Sequence, residues 1–141
     1  LADRLADPPA IDALTGRCAT VTIMSTPVGP YTPIVRAGDF LVVSGQLGLV
    51  DDVLLVGGVV VETAQAIANL SALLESEGAS LSDVVKTTVF LRHMRDYGLM
   101  NDAYVAAFGD HRPARSAFAV AELPRLALVE IEAWAWATAP K

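Results

Sequence analysis

The chain has 141 residues, 53% of them hydrophobic and 18% charged, which suits one compact domain and is too apolar for a disordered segment. Ten bases against sixteen acids give −6, a charge that disfavours generic nucleic-acid or anionic-membrane binding. No run reaches the roughly 18 apolar residues of a spanning helix, and the lone Cys18 excludes a disulfide within the chain, so the composition reads as a soluble, cytoplasmic globular domain.

Residues 1–24 hold Pro8-Pro9, show no sustained period and lack a signal-peptide core, so they read as an appended arm before a domain over residues 25–141. Met24 offers a second start for translation, and Cys18 has no Cys or His pattern around it. Residues 40–44 form a short β-rich run ending at Gly45, and residues 53–56 form another, closed by Gly57-Gly58. Residues 62–77 read as a helix: Ile67, Leu70 and Leu74 recur at helical spacing, and Gly78 stands just past the end. The β-branched residues Val84, Val85, Thr87, Thr88 and Val89 predict a strand over 83–91. Asp96 is placed to cap a second helix through Phe108, ended by Gly109. Strands over 115–120 and 126–137 complete a β-β-α-β-α-β-β order, an α+β layer of two helices on one face of one sheet.

Period two in the last strand puts Val129, Ile131, Ala133, Ala135 and Ala137 on one face and Leu128, Glu130, Glu132, Trp134 and Trp136 on the other. Two helices cannot cover both faces of a sheet. A face bearing two tryptophans is sticky if left bare, so a second subunit is expected to cover it, with the glutamates at or near that interface.

Charge is uneven along the chain. Between Ala37 and Val85 there are seven acids and no Lys or Arg, whereas from Lys86 to Arg125 six bases face four acids. Ordinary surface scatter accounts for this, as does a small anion-attracting site in the second half. Phosphate-cradling GxxxxGK[ST] and GxGxxG loops are absent, and His93, His111 and Cys18 do not form a zinc pattern. Ser44 lacks the GxSxG elbow of a Ser-His-Asp hydrolase. What remains are polar residues in apolar surroundings: Arg115 after the Pro113 turn, Glu130 inside an apolar strand, and Tyr31 after Gly29-Pro30. An arginine to fork a carboxylate and a glutamate to move protons make a small-acid site.

Gly29-Pro30-Tyr31, Val43-Ser44-Gly45-Gln46, the run from Val84 to Leu91, Asn101 with Tyr104, Phe108-Gly109, Pro113-Ala114-Arg115-Ser116 and Val129-Glu130-Ile131-Glu132-Ala133 occur in this order. By these motifs the sequence resembles the RidA/YjgF family of reactive-intermediate deaminases, also labelled endoribonuclease L-PSP, from about Ser25 to Ala137. The resemblance implies a chorismate-mutase-like α+β fold and a homotrimer with clefts between neighbouring subunits. It implies hydrolysis of enamine/imine acids (the 2-iminobutanoate and 2-iminopropanoate type) to 2-oxo acids and ammonia, with no metal or organic cofactor. Carried over by motif, Arg115 binds the substrate carboxylate and Glu130 is the acid associated with the attacking water. Tyr31, Ser44 and Asn101 match further pocket positions. Thr32-Pro33, Gly48 and Ala117 depart from the family pattern, which alters the walls of the site while Arg115 and Glu130 are kept.

Two other functions are consistent with the residues. A ribonuclease role is weakened by the negative charge and the lack of a His pair or an aromatic-basic strip. A regulatory binder of small carboxylates would need Arg115 and have no use for Glu130.

Overall fold

The computed structural model describes residue 27 and residues 29–138; the expected extension over residues 1–24, with Cys18 and Met24, lies outside the described residues. Strands β1 (Ile34–Ala37), β2 (Phe40–Leu47), β3 (Leu49–Val50) and β4 (Val53–Leu54) precede helix α1 (Val59–Ser76). Then follow β5 (Val84–Leu91), α2 (Tyr97–Phe108), β6 (Ala114–Ala119) and β7 (Val129–Trp136), with short 3-10 turns at Leu81–Asp83, Met94–Asp96 and Pro124–Leu126.

The alternation in β7 organises the sheet. Val129, Ile131, Ala133 and Ala135 are fully buried, whereas Trp134 and Trp136 are 45% and 49% exposed. β7 sits at the centre of a five-stranded sheet of order β1-β2-β7-β5-β6, and β3 and β4 form a separate hairpin. β5 and β6 pair in parallel, and the other pairings are antiparallel. A parallel pair needs a crossover, and α2 supplies it. Both helices pack on the Val129–Ala135 side, where Leu41, Ile67, Leu70, Leu74, Leu91 and Met100 fill the core. The result is the expected α+β fold: one mixed sheet with two helices.

Several boundaries differ from the sequence reading. β1 was not expected; it is four residues long and its alternate positions Val35 and Ala37 are exposed. α1 begins at Val59 rather than Glu62, because Val59-Val60-Val61 continue the turn that Gly58 opens at φ +83°. Asp96 precedes α2 but makes no capping bond, since a 3-10 turn already leads into the helix there. β7 begins at Val129 rather than 126. Pro124 opens a 3-10 turn, Arg125 and Leu126 take left-handed backbone, and Arg125 Nη1 donates to the Asp52 carbonyl at 2.8 Å. Gly78 follows α1 at φ +76°, as its position predicts.

Candidate functional site

Tyr97, Met100, Asn101 and Tyr104 fall at i, i+3, i+4 and i+7 of α2, which puts them on one face of the helix. Arg115 of β6 meets that face. The register pairs Arg115 with Thr87, whose side chain is buried on the helix side of the sheet, so Arg115 projects to the same side. Its guanidinium carbon lies 4.7 Å from the Tyr104 ring centroid and 5.6 Å from that of Tyr97. Nη2 donates to Asn101 Oδ1 at 2.7 Å and to Tyr97 Oη at 3.2 Å, and Met100 Sδ lies 4.0 Å from Nη1. Tyr104 is itself fixed: its hydroxyl shares a 2.7 Å hydrogen bond with Thr87 Oγ1 and its ring stacks on Phe108 at 4.5 Å. Burial pushes the Tyr104 phenol above its ordinary pKa, so the ring beneath the cation stays neutral. Among the described residues no carboxylate reaches Arg115. A partly buried cation is thus held by neutral acceptors and aromatic faces, an arrangement that favours an anionic ligand.

Glu130 lies elsewhere. It pairs with Phe90 across β5, one step out of phase with the buried Val89–Ile131 pair, so it projects from the open face of the sheet. Burial raises its carboxyl pKa, and the like charge of Glu132 raises it further. Gly45 lies against it: a Cβ there would overlap the Glu130 carboxylate, so a side chain at this position would push that group aside. Gly45 belongs to a bulge, where the register slips between Val43 and Gln46. Ser44 in the same bulge donates its hydroxyl to the Thr32 carbonyl at 2.7 Å and its N–H to the Pro33 carbonyl at 2.9 Å. Ser44 thereby ties down the loop that carries Tyr31, whose side chain is 45% exposed. The unusual Pro33 still supplies the acceptor that this tie requires.

The structure therefore sorts the expected site residues into two groups. Arg115 and Asn101 are joined directly, with Tyr97, Met100 and Tyr104 added. Glu130, Ser44 and the Tyr31 loop form the second group, around the bulge. Within one chain Arg115 and Glu130 lie on opposite faces of the sheet. Ala117, two residues beyond Arg115 on the same face, leaves a small wall beside it. His111 is engaged through Nε2 with the Val84 carbonyl at 2.7 Å, a structural contact. Among the described residues no group of three or more His, Cys, Asp or Glu is placed to hold a metal ion.

Fold and side chains together define a small α+β protein with a partly buried arginine, held by neutral groups, at one sheet edge and a carboxylate on the open face. The chain belongs to the RidA/YjgF family: the model described as Endoribonuclease L-PSP matches residues 22–137. It is 44% identical over 108 residues to 2-iminobutanoate/2-iminopropanoate deaminase of Mus musculus, covering 75% of this chain and 80% of that one. It is 41% identical over 112 residues to a RutC family protein of Pyrococcus horikoshii, covering 78% and 89% of the two chains. RidA from an Antarctic Psychrobacter superposes with a TM-score of 0.75 at 35% identity, over 79% of this chain and 92% of that structure. No described helix is long and apolar enough to cross a membrane.

Proposed function

We propose that this protein is a cytoplasmic, cofactor-independent hydrolase that deaminates 2-imino acids of the 2-iminobutanoate/2-iminopropanoate type. The observation that carries the reading is Arg115: a partly buried guanidinium held only by Asn101, Tyr97, Met100 and the Tyr104 ring, with no counter-ion among the described residues. Relatives 44% and 38% identical to this chain are named for this activity.

In this reading the substrate carboxylate sits at Arg115, and water attacks the electrophilic imine carbon. Glu130 takes a proton from the water as the C–O bond forms and delivers it to the nitrogen. The carbinolamine then collapses: Glu130 takes the hydroxyl proton and passes it to the nitrogen, the C=O bond forms as the C–N bond breaks, ammonia leaves, and the 2-oxo acid remains. The raised pKa of Glu130 suits both halves of that transfer. Because Arg115 and Glu130 leave opposite faces of the sheet, one chain does not hold both ends of a small substrate. We assign the cleft to the boundary between copies in a homotrimer, with Arg115 from one subunit and Glu130 from its neighbour. The endoribonuclease reading in the family's description has less support, given a net charge of −6 and a structural role for His111.

The test is release of 2-oxobutanoate from 2-iminobutanoate, generated in place and measured against spontaneous hydrolysis with a competing trap. Wild type is expected to accelerate the reaction. Glu130→Gln is expected to bind 2-oxobutanoate and lose about 10²–10⁴ in turnover, the usual contribution of a general base. Arg115→Lys keeps the charge and loses the planar donors, so binding should weaken by about 2–5 kcal/mol. Absence of acceleration with every amino-acid-derived imine would leave a carboxylate binder in place of the deaminase.

A further inference from the structure

Glu130 stands on β7 between two pieces of backbone that are both gripped from α1. Glu62, Gln65 and Asn69 fall at i, i+3 and i+7 of that helix and form a polar row along one side of it. Glu62 Oε2 accepts the Leu128 N–H at 2.7 Å, two residues before Glu130. Asn69 Nδ2 donates to the carbonyls of Leu47 and Leu49 at 3.0 and 2.9 Å, and Leu47 is the β2 residue paired with Glu130. Gln65 Nε2 donates to Asn69 Oδ1 at 2.8 Å, which keeps the Asn69 amide turned with its nitrogen toward the strands.

Burying a carboxylate is costly, and Glu62 is buried. Burial raises its pKa, and the N–H groups of Leu128 and Val129 and the Arg92 charge oppose that rise. Both grips bear on the surroundings of the Glu130 carboxylate. Gly45, whose missing Cβ leaves room for that carboxylate, lies in the bulge that ends where β2 resumes its pairing at Gln46 and Leu47. A slip of Leu47 or of Leu128 along its strand therefore moves Glu130 against Gly45. We propose that the Glu62–Asn69 row positions Glu130 for proton transfer by fixing the backbone on both sides of it, without either residue touching the substrate. This rests on Glu130 being the general base.

The test is steady-state turnover of 2-iminobutanoate, with calorimetric titration of 2-oxobutanoate, for wild type, Glu62→Gln and Asn69→Asp. Glu62→Gln keeps the volume and sets an amide donor among backbone N–H groups. Asn69→Asp keeps the shape and withdraws the donor from two carbonyls. In each variant kcat is expected to fall about ten- to a hundredfold, the scale of a small misplacement of a reacting group. KM and the dissociation constant of 2-oxobutanoate should stay as in wild type, because the row bonds to no group of β6, which carries Arg115. An unchanged kcat in the folded variants would overturn the proposal. A parallel loss of kcat and binding would overturn it too, since that reports a disturbed fold. Should neither variant fold, the row is a folding element and the positioning role is again overturned. Wild type without acceleration, or a fully active Glu130→Gln, places the failure with the reading of Glu130, and this proposal falls with it.

Discussion

Glu130 and Glu132 leave β7 on the same face, two residues apart, and both lie on the side away from the helices. Burial is the larger cause of the raised Glu130 pKa and the Glu132 charge the smaller. A general base acts only when ionised, so turnover should rise with pH through a midpoint above the ordinary glutamate value. Glu132→Gln removes a like charge and stabilises ionised Glu130, which should move that acidic limb of kcat/KM to lower pH. A limb unmoved by Glu132→Gln would assign it to another group. At this scale the sequence was partly readable. Arg115, Glu130 and Asn101 were visible as polar residues inside family motifs. Tyr97 and Met100 were not singled out, and Tyr104 entered only beside Asn101 in a family motif; their i, i+3, i+4, i+7 spacing with Asn101 is the one hint of a shared partner. That Arg115 and Glu130 take opposite faces depends on the Thr87–Arg115 register of a parallel pair, which no local pattern specifies.

The long elements were legible because their periods are unambiguous: the apolar stripe of α1, the alternation of β7 and the β-branched run of β5. Those that were missed or misplaced depend on tertiary contacts. β1 is held by pairing with β2, and Arg36 reaches the carbonyls of Ala137 and Glu77. The start of β7 is set by Glu62 of α1, which accepts the Leu128 N–H at 2.7 Å although it is only 4% exposed. Burial raises the Glu62 pKa against the lowering effect of those backbone bonds and of Arg92. Gly48 has its structural reason here. A Cβ at Gly48 would stand 2.6 Å from Glu62 Cα, so α1 approaches the end of β2 only because no side chain intervenes. Gly48→Ala pushes on backbone, and backbone cannot yield as a side-chain tip does. The expected cost is about 1–3 kcal/mol, typical of overpacking. It should appear as a lower midpoint in urea unfolding at fixed protein concentration, with an unchanged slope. An unaltered midpoint would mean that α1 has slack at this point.

For the whole molecule, the open face of the sheet raises the question of what covers it. Phe40 meets Trp134 and Trp136 edge-on at centroid distances of 5.8 and 4.8 Å, and Phe90 meets Phe118 at 5.4 Å. Between these aromatic ends lie Lys86, bonded to Ser116 Oγ at 2.7 Å, and the two glutamates. In the proposed trimer another copy covers this face, and β6, an edge strand, brings Arg115 within reach of the same boundary. Light scattering should therefore give three times the monomer mass, and the monomer mass at every concentration would exclude a trimer. A sharper experiment asks whether the two halves of the site come from different subunits. Arg115→Ala and Glu130→Gln homotrimers should each be inactive. In a ring where each cleft takes Arg115 from one subunit and Glu130 from the next, any hybrid of the two variants holds one cleft with both wild-type residues, about a third of its total. Dissociating the variants together and reassembling them should thus restore turnover that neither gives alone. If both residues of a cleft came from one chain, every cleft in every hybrid would carry a defect. Verified hybrids without activity would accordingly overturn the intersubunit cleft while leaving the trimer intact.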